Sequence, residues 1–156
     1  MQNTSVKTTG ILSGLLATAL LISAAPIDAD DAIDAHPMRF EHLTLDNGLS
    51  QSNILSILQD SKGQMWFGTE NGLNSYDGYD FRTYYRERGN SGSLSSDFVF
   101  DVDEDGKGNL WIATNGGGLA VRDASTGEFS SYRHDAEDNA SISSNVVRRV
   151  LVDAEG

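Results

Sequence analysis

The sequence predicts an all-β fold made of repeated four-stranded sheets, and three observations carry that prediction. After residue 40 no stretch holds a long helical period, whereas short runs rich in β-branched and aromatic residues recur. Turn signals such as Asn71-Gly72 and Asp77-Gly78, whose residues tolerate positive φ, separate those runs. The chain also matches itself at an offset of about 45 residues, the range of one propeller blade.

In the first copy, Leu49-Ser50 leads into a run from Asn53 to Gln59. Asp60, Lys62 and Gly63 turn it into Met65-Trp66-Phe67-Gly68-Thr69; Leu73 to Tyr76 and Phe81 to Tyr85 follow. In the second copy, Leu94-Ser95 leads into Phe98 to Glu104, then Leu110 to Ala113, Leu119 to Arg122 and Phe129 to Arg133. Its later turns are Gly116-Gly117-Gly118, a flexible hairpin, and Ser125-Thr126-Gly127. Asp60, Lys62, Gly63, Trp66 and Thr69 recur as Asp105, Lys107, Gly108, Trp111 and Thr114. A third copy opens at Ile142 and runs through Val150-Leu151-Val152 to Asp153.

Four antiparallel strands per repeat make one blade of a β-propeller. The predicted domain spans 39–156, with repeats at about 49–93, 94–141 and 142–156: two blades and the first strand of a third. Phe40 to Leu45 stands before Leu49-Ser50 as Phe81 to Tyr85 stands before Leu94-Ser95. It is therefore expected as a last-strand element that completes a closing blade and removes a sheet edge. A closed propeller needs about 4 to 8 blades, and the third copy stops before its tryptophan. The sequence is thus expected to be an N-terminal fragment.

Residues 1–25 have the layout of a secretory signal peptide: Lys7, the apolar run Ile11 to Ile22, then Ser23-Ala24-Ala25. The apolar run is shorter than the roughly 20 residues a spanning helix needs. An uncleaved anchor is the alternative, and Pro26 leaves the cleavage position open. Residues 26–38, with Asp28, Asp30, Asp31 and Asp34, read as an acidic spacer. The domain that follows is expected outside the cytoplasm, in the periplasm. The chain has no cysteine, which removes disulfides, thiolate metal sites and cysteine nucleophiles. Eleven Lys+Arg against 23 Asp+Glu give a net charge of −12, which argues against nucleic acid as a partner.

No catalytic constellation, cofactor site or metal site is predicted. Asp60, Gly63 and Trp66, with Asp105, Gly108 and Trp111, read as structural repeat residues. The tryptophans are expected to pack neighbouring blades, with ligand stacking as the competing reading. Asp101, Asp103 and Asp105 with Gly106 imitate the front of a calcium loop, but Ile112 stands where the bidentate glutamate belongs. Asp105 is expected to be a turn aspartate. His36, His42 and His134 share no ligand spacing. Ser56, Asp101 and Arg149 share one frame position in the first strand of each repeat. The innermost strand lines a propeller's channel, so these three are the candidate ligand-binding residues, with a solvated channel wall as the competing reading.

Asp60, Gly63, Trp66-Phe67-Gly68-Thr69, Asn71-Gly72-Leu73 and Tyr76-Asp77-Gly78 resemble the repeat of the two-component regulator propeller family. The second copy departs from that pattern at Ala113, at its extra glycine and at Arg122-Asp123-Ala124. The resemblance implies an extracytoplasmic sensor, not itself an enzyme, that binds a small-molecule or carbohydrate ligand. It further implies remaining blades, a membrane helix and an output domain, a histidine kinase or a diguanylate cyclase, and a homodimer at full length. A glycan-acting propeller enzyme and a protein-binding scaffold propeller are the alternatives, which fold alone does not separate.

Overall fold

The computed structural model describes residues 40–153. The expected signal peptide and spacer, 1–25 and 26–38, lie outside the described residues. Strands β1 (Ile54–Gln59), β2 (Met65–Thr69), β3 (Gly72–Tyr76) and β4 (Phe81–Tyr84) form one antiparallel sheet in chain order. Strands β5 (Val99–Glu104), β6 (Leu110–Thr114), β7 (Leu119–Arg122) and β8 (Phe129–Tyr132) form a second sheet of the same topology. The two sheets are successive propeller blades.

The inner strands carry matching irregularities. Ile54 pairs with Thr69 but Ser56 with Gly68, so Leu55 is squeezed out of register. Val99 pairs with Thr114 but Asp101 with Ala113, so Phe100 is squeezed out in the same way. Such a bulge re-aims the side chains beyond it.

The core lies between the blades. Trp66 and Leu73 of the first blade cluster with Leu94, Val99, Val102, Leu110, Ile112 and Phe129 of the second. The period-2 alternation of β2 and β6 produces this. Trp66 and Gly68 turn toward the second blade, and Leu110 and Ile112 toward the first. Trp66 is 2% exposed and Leu73 and Ile112 are fully buried; burying each such side chain contributes roughly 1.5–3 kcal/mol. Gly68 is small because the blades meet there: an added Cβ would lie 2.9 Å from Val99 Cγ1. Arg122 completes the seam, its guanidinium 5.3 Å from the Trp66 ring and 5.5 Å from the Tyr84 ring.

Two segments differ from expectation. Phe40 to Thr44 form no strand. Instead the Thr44 amide donates to Asn47 Oδ1 at 2.9 Å and starts a 3-10 turn, Leu45–Asn47. A local side-chain acceptor satisfies that amide, and among the described residues no strand lies alongside to form a ladder. The opening of the third repeat meets the second blade in one isolated bridge, Asn115 to Val146, flanked by bonds from the Val147 amide to the Thr114 carbonyl and from the Gly116 and Gly118 amides to the Asn145 carbonyl. Past it, the amides of Val150 and Val152 donate to side chains of β5 rather than to a partner strand.

Candidate functional site

The turn between the first two strands of each blade is a clasp built on one aspartate. Asp60 Oδ1 accepts from the amides of Lys62 (3.0 Å) and Gln64 (2.9 Å), and its Oδ2 accepts from Trp66 Nε1 at 2.8 Å. Asp105 repeats the pattern with Lys107 (2.9 Å), Asn109 (2.9 Å) and Trp111 Nε1 (3.1 Å). Gly63 (φ 85°) and Gly108 (φ 83°) take the left-handed position that ends the turn, which costs L-residues about 1–2 kcal/mol. Partial burial pushes the Asp105 carboxyl up, but donors from Asn109, Trp111 and Lys107 outweigh it and hold the pKa at about 2. The tryptophan is thus tied by its nitrogen to its own blade while its ring packs outward. Trp66 is covered by the second blade, whereas Trp111 is half-buried and stacks on Tyr132 of its own blade at 6.0 Å.

Asp101 and Arg149 come together, with Nη1 to Oδ2 at 3.7 Å. The same Asp101 oxygen accepts from the Val150 amide at 3.2 Å. Asp101 is 8% exposed, while the Arg149 side chain is 86% exposed. Ser56 is not joined to this pair. Its Oγ is buried without a hydrogen-bond partner, 2.5 Å from where a Cβ on Gly68 would sit. Ser56 and Asp101 therefore lie on the side of the inner strand that meets the following repeat, whereas Arg149 reaches back to the preceding one. The three carboxylates that imitate a calcium loop part company: Asp101 holds Val150, Asp103 holds Val152 at 2.8 Å, and Asp105 closes its turn.

Sequence reasoning missed the squeezed-out positions. Phe100 packs on Phe98 with tilted rings, centroids 4.7 Å apart, and carries the Arg148 guanidinium 4.9 Å above its ring. Leu55, Phe100 and Arg148 are equivalent positions of the three repeats. At Leu55 and Phe100 a bulge puts the residue out of register, and no residue type announced it.

It also missed the turn by which each blade hands over to the next. The Glu87 amide donates to Ser93 Oγ at 2.9 Å, and Asn90 Oδ1 accepts from the Gly92 amide at 2.9 Å. In the next repeat, the Asp135 amide donates to Ser141 Oγ at 2.9 Å, and Asp138 Oδ1 accepts from the Ala140 amide at 2.9 Å. The Arg86 amide donates to Asp97 Oδ1 at 2.6 Å, as that of His134 does to Asn145 Oδ1 at 2.9 Å. The Asp97 carbonyl also accepts from Gly72, and that of Asn145 from Gly118, so each exit turn is stitched to the β2–β3 or β6–β7 hairpin of the blade it leaves. The legible signal was the spacing Glu87, Asn90, Ser93 against Asp135, Asp138, Ser141.

Comparison with known proteins agrees with this geometry. The two-component regulator propeller model matches residues 48–71 and 93–116. The histidine kinase P4 of Formosa agariphila is 45% identical over 56 residues, 36% of this chain and 4% of that protein. The extracellular domain of the hybrid two component system BT3049 from B. thetaiotaomicron superposes with a TM-score of 0.69 at 36% identity. That match covers 74% of this chain and 16% of the solved one. The chain therefore spans a small part of either relative. No helix among the described residues is long and apolar enough to cross a membrane.

Proposed function

We propose that this chain, whose residues 48–71 and 93–116 are two-component regulator propeller repeats, is part of a periplasmic sensor propeller. It binds a small-molecule or carbohydrate ligand and relays occupancy to a cytoplasmic histidine kinase or diguanylate cyclase, without catalysing a reaction itself. The likeness of two adjacent blades to the extracellular domain of a hybrid two component system carries this reading. Two features supply the physics of a relay. The blades are joined by a repeated set of hydrogen bonds, so a displacement at one seam meets equivalent bonds at the next. Past one isolated bridge, the third repeat is held by two carboxylates, Asp101 and Asp103, rather than by a ladder. A ligand shifts such an assembly only by as much as it prefers one arrangement. Full-length copies acting as a homodimer would sum those shifts.

Two measurements test the proposal. The coding sequence downstream of the Gly156 codon is expected to specify further blades, a membrane helix and kinase or cyclase motifs. In membranes holding the full-length protein, a glycan panel is expected to change output activity for at least one sugar class. An output that no solute alters, or a downstream sequence without output motifs, contradicts the reading.

A further inference from the structure

We infer that the cleft between the exit turn of the first blade and the outer strand of the second binds an anionic solute, carboxylated or sulfated. The inference deepens the sensor reading above and rests on it. Arg86 and Arg88 on the exit turn and Arg133 just past β8 line one cavity of about 380 Å³, together with Asn90, Ser91 and Ser131. The chain carries 11 Lys+Arg and a net charge of −12, so three guanidinium groups on one cleft run against its overall sign.

Comparing the repeats separates framework from addition. The exit turn at 134–141 makes the same bonds through Asp135, Asp138 and Ser141 that Glu87, Asn90 and Ser93 make. Yet His134 and Ala136 stand where Arg86 and Arg88 stand. The turn therefore folds without guanidinium groups. Gathering like charges raises the free energy of the empty cleft, and an anion offsets that cost. Arg86 and Arg88 form no ion pair among the described residues, and the one carboxylate on the lining, Glu87, accepts from Asn90 Nδ2 at 2.7 Å. Arg133 is held in place by donating to the Gly116 carbonyl at 2.9 Å. Both walls belong to the two described blades and the turn between them, so the cleft needs no further blade to exist. Planar guanidinium forks beside hydroxyl and amide donors suit the paired oxygens of a carboxylate or a sulfate.

The test titrates the full chain with dextran sulfate, polygalacturonate and neutral dextran, read by calorimetry. At least one polyanion is expected to bind, and which of the two does so separates sulfate from carboxylate. Arg86→Ser with Arg88→Ser should weaken that binding at least about tenfold while leaving the melting temperature unchanged, because both side chains are exposed and make no hydrogen bond, ion pair or ring contact among the described residues. Arg88→Ala alone should give a smaller loss, and Lys62→Ser with Lys107→Ser, which removes two exposed cations outside the cleft, should leave the affinity near wild type. Absence of polyanion binding overturns the inference, and so does an equal loss in both double variants. Neutral dextran binding that ignores both double variants, with no polyanion bound, also overturns it but leaves the sensor reading in place.

Discussion

At the residue scale, the clasp turns show how backbone and side chain divide the task. Nothing lies within 4 Å of a Cβ added at Gly63, so Gly63→Ala feels only its φ of 85° and should cost about 1 kcal/mol in denaturant unfolding. Gly118→Ala should cost more, because its Cβ would strike the Tyr132 carbonyl as well as adopt a positive φ. The aspartates set an acid limit. Asp105 and Asp123 are each lowered from 3.8 to about 2, Asp123 chiefly by the Ser125 hydroxyl and then by the Thr126 amide. A carboxylate whose folded pKa is depressed contributes stability present above its unfolded pKa and lost as pH falls through the folded one. Stability should therefore hold above about pH 4 and fall between about pH 4 and 2. Asp105→Asn should flatten that fall in a pH series of thermal melts.

At the element scale, the segment that opens the third repeat depends on two side chains of β5. Replacing Asp101 and Asp103 by alanine removes the acceptors for the Val150 and Val152 amides. Hydrogen exchange should then quicken at those two amides while Val102, inside its ladder, keeps its protection. Equal exchange before and after the substitution would contradict that docking. The eight strands were legible because local chemistry fixes them: Asn71-Gly72 and Asp60 with Gly63 place turns, and β-branched or aromatic runs fill the space between. The bulges at Leu55 and Phe100 were not legible, since a bulge depends on register against a neighbour and not on residue type. The strand expected at Phe40 to Leu45 failed for a related reason. Its apolar pattern matched β4, but a strand exists only where another lies beside it, and Asn47 offered the Thr44 amide a nearer partner. Of the site, the paired clasps could be read from spacing. The arginine cleft could not, because Arg86, Arg88 and Arg133 are joined only by the packing of one blade on the next.

At the scale of the whole domain, the two tryptophans are the same residue in two environments. Trp66 lies under the second blade at 2% exposure, and Trp66→Ala should cost about 3–5 kcal/mol. Trp111 is half-buried against Tyr132, so Trp111→Ala should cost clearly less in the same unfolding experiment. The central claim is that consecutive repeats are blades packed face to face, with Trp66, Tyr84, Arg122 and Phe129 at their seam. Nuclear Overhauser spectroscopy of the isotope-labelled chain tests it most directly. The account predicts cross-peaks from the Trp66 indole to Arg122 and from the Tyr84 ring to the Phe129 ring, whose centroids lie 5.6 Å apart. A spectrum with strong contacts within each repeat and none between those pairs would contradict it.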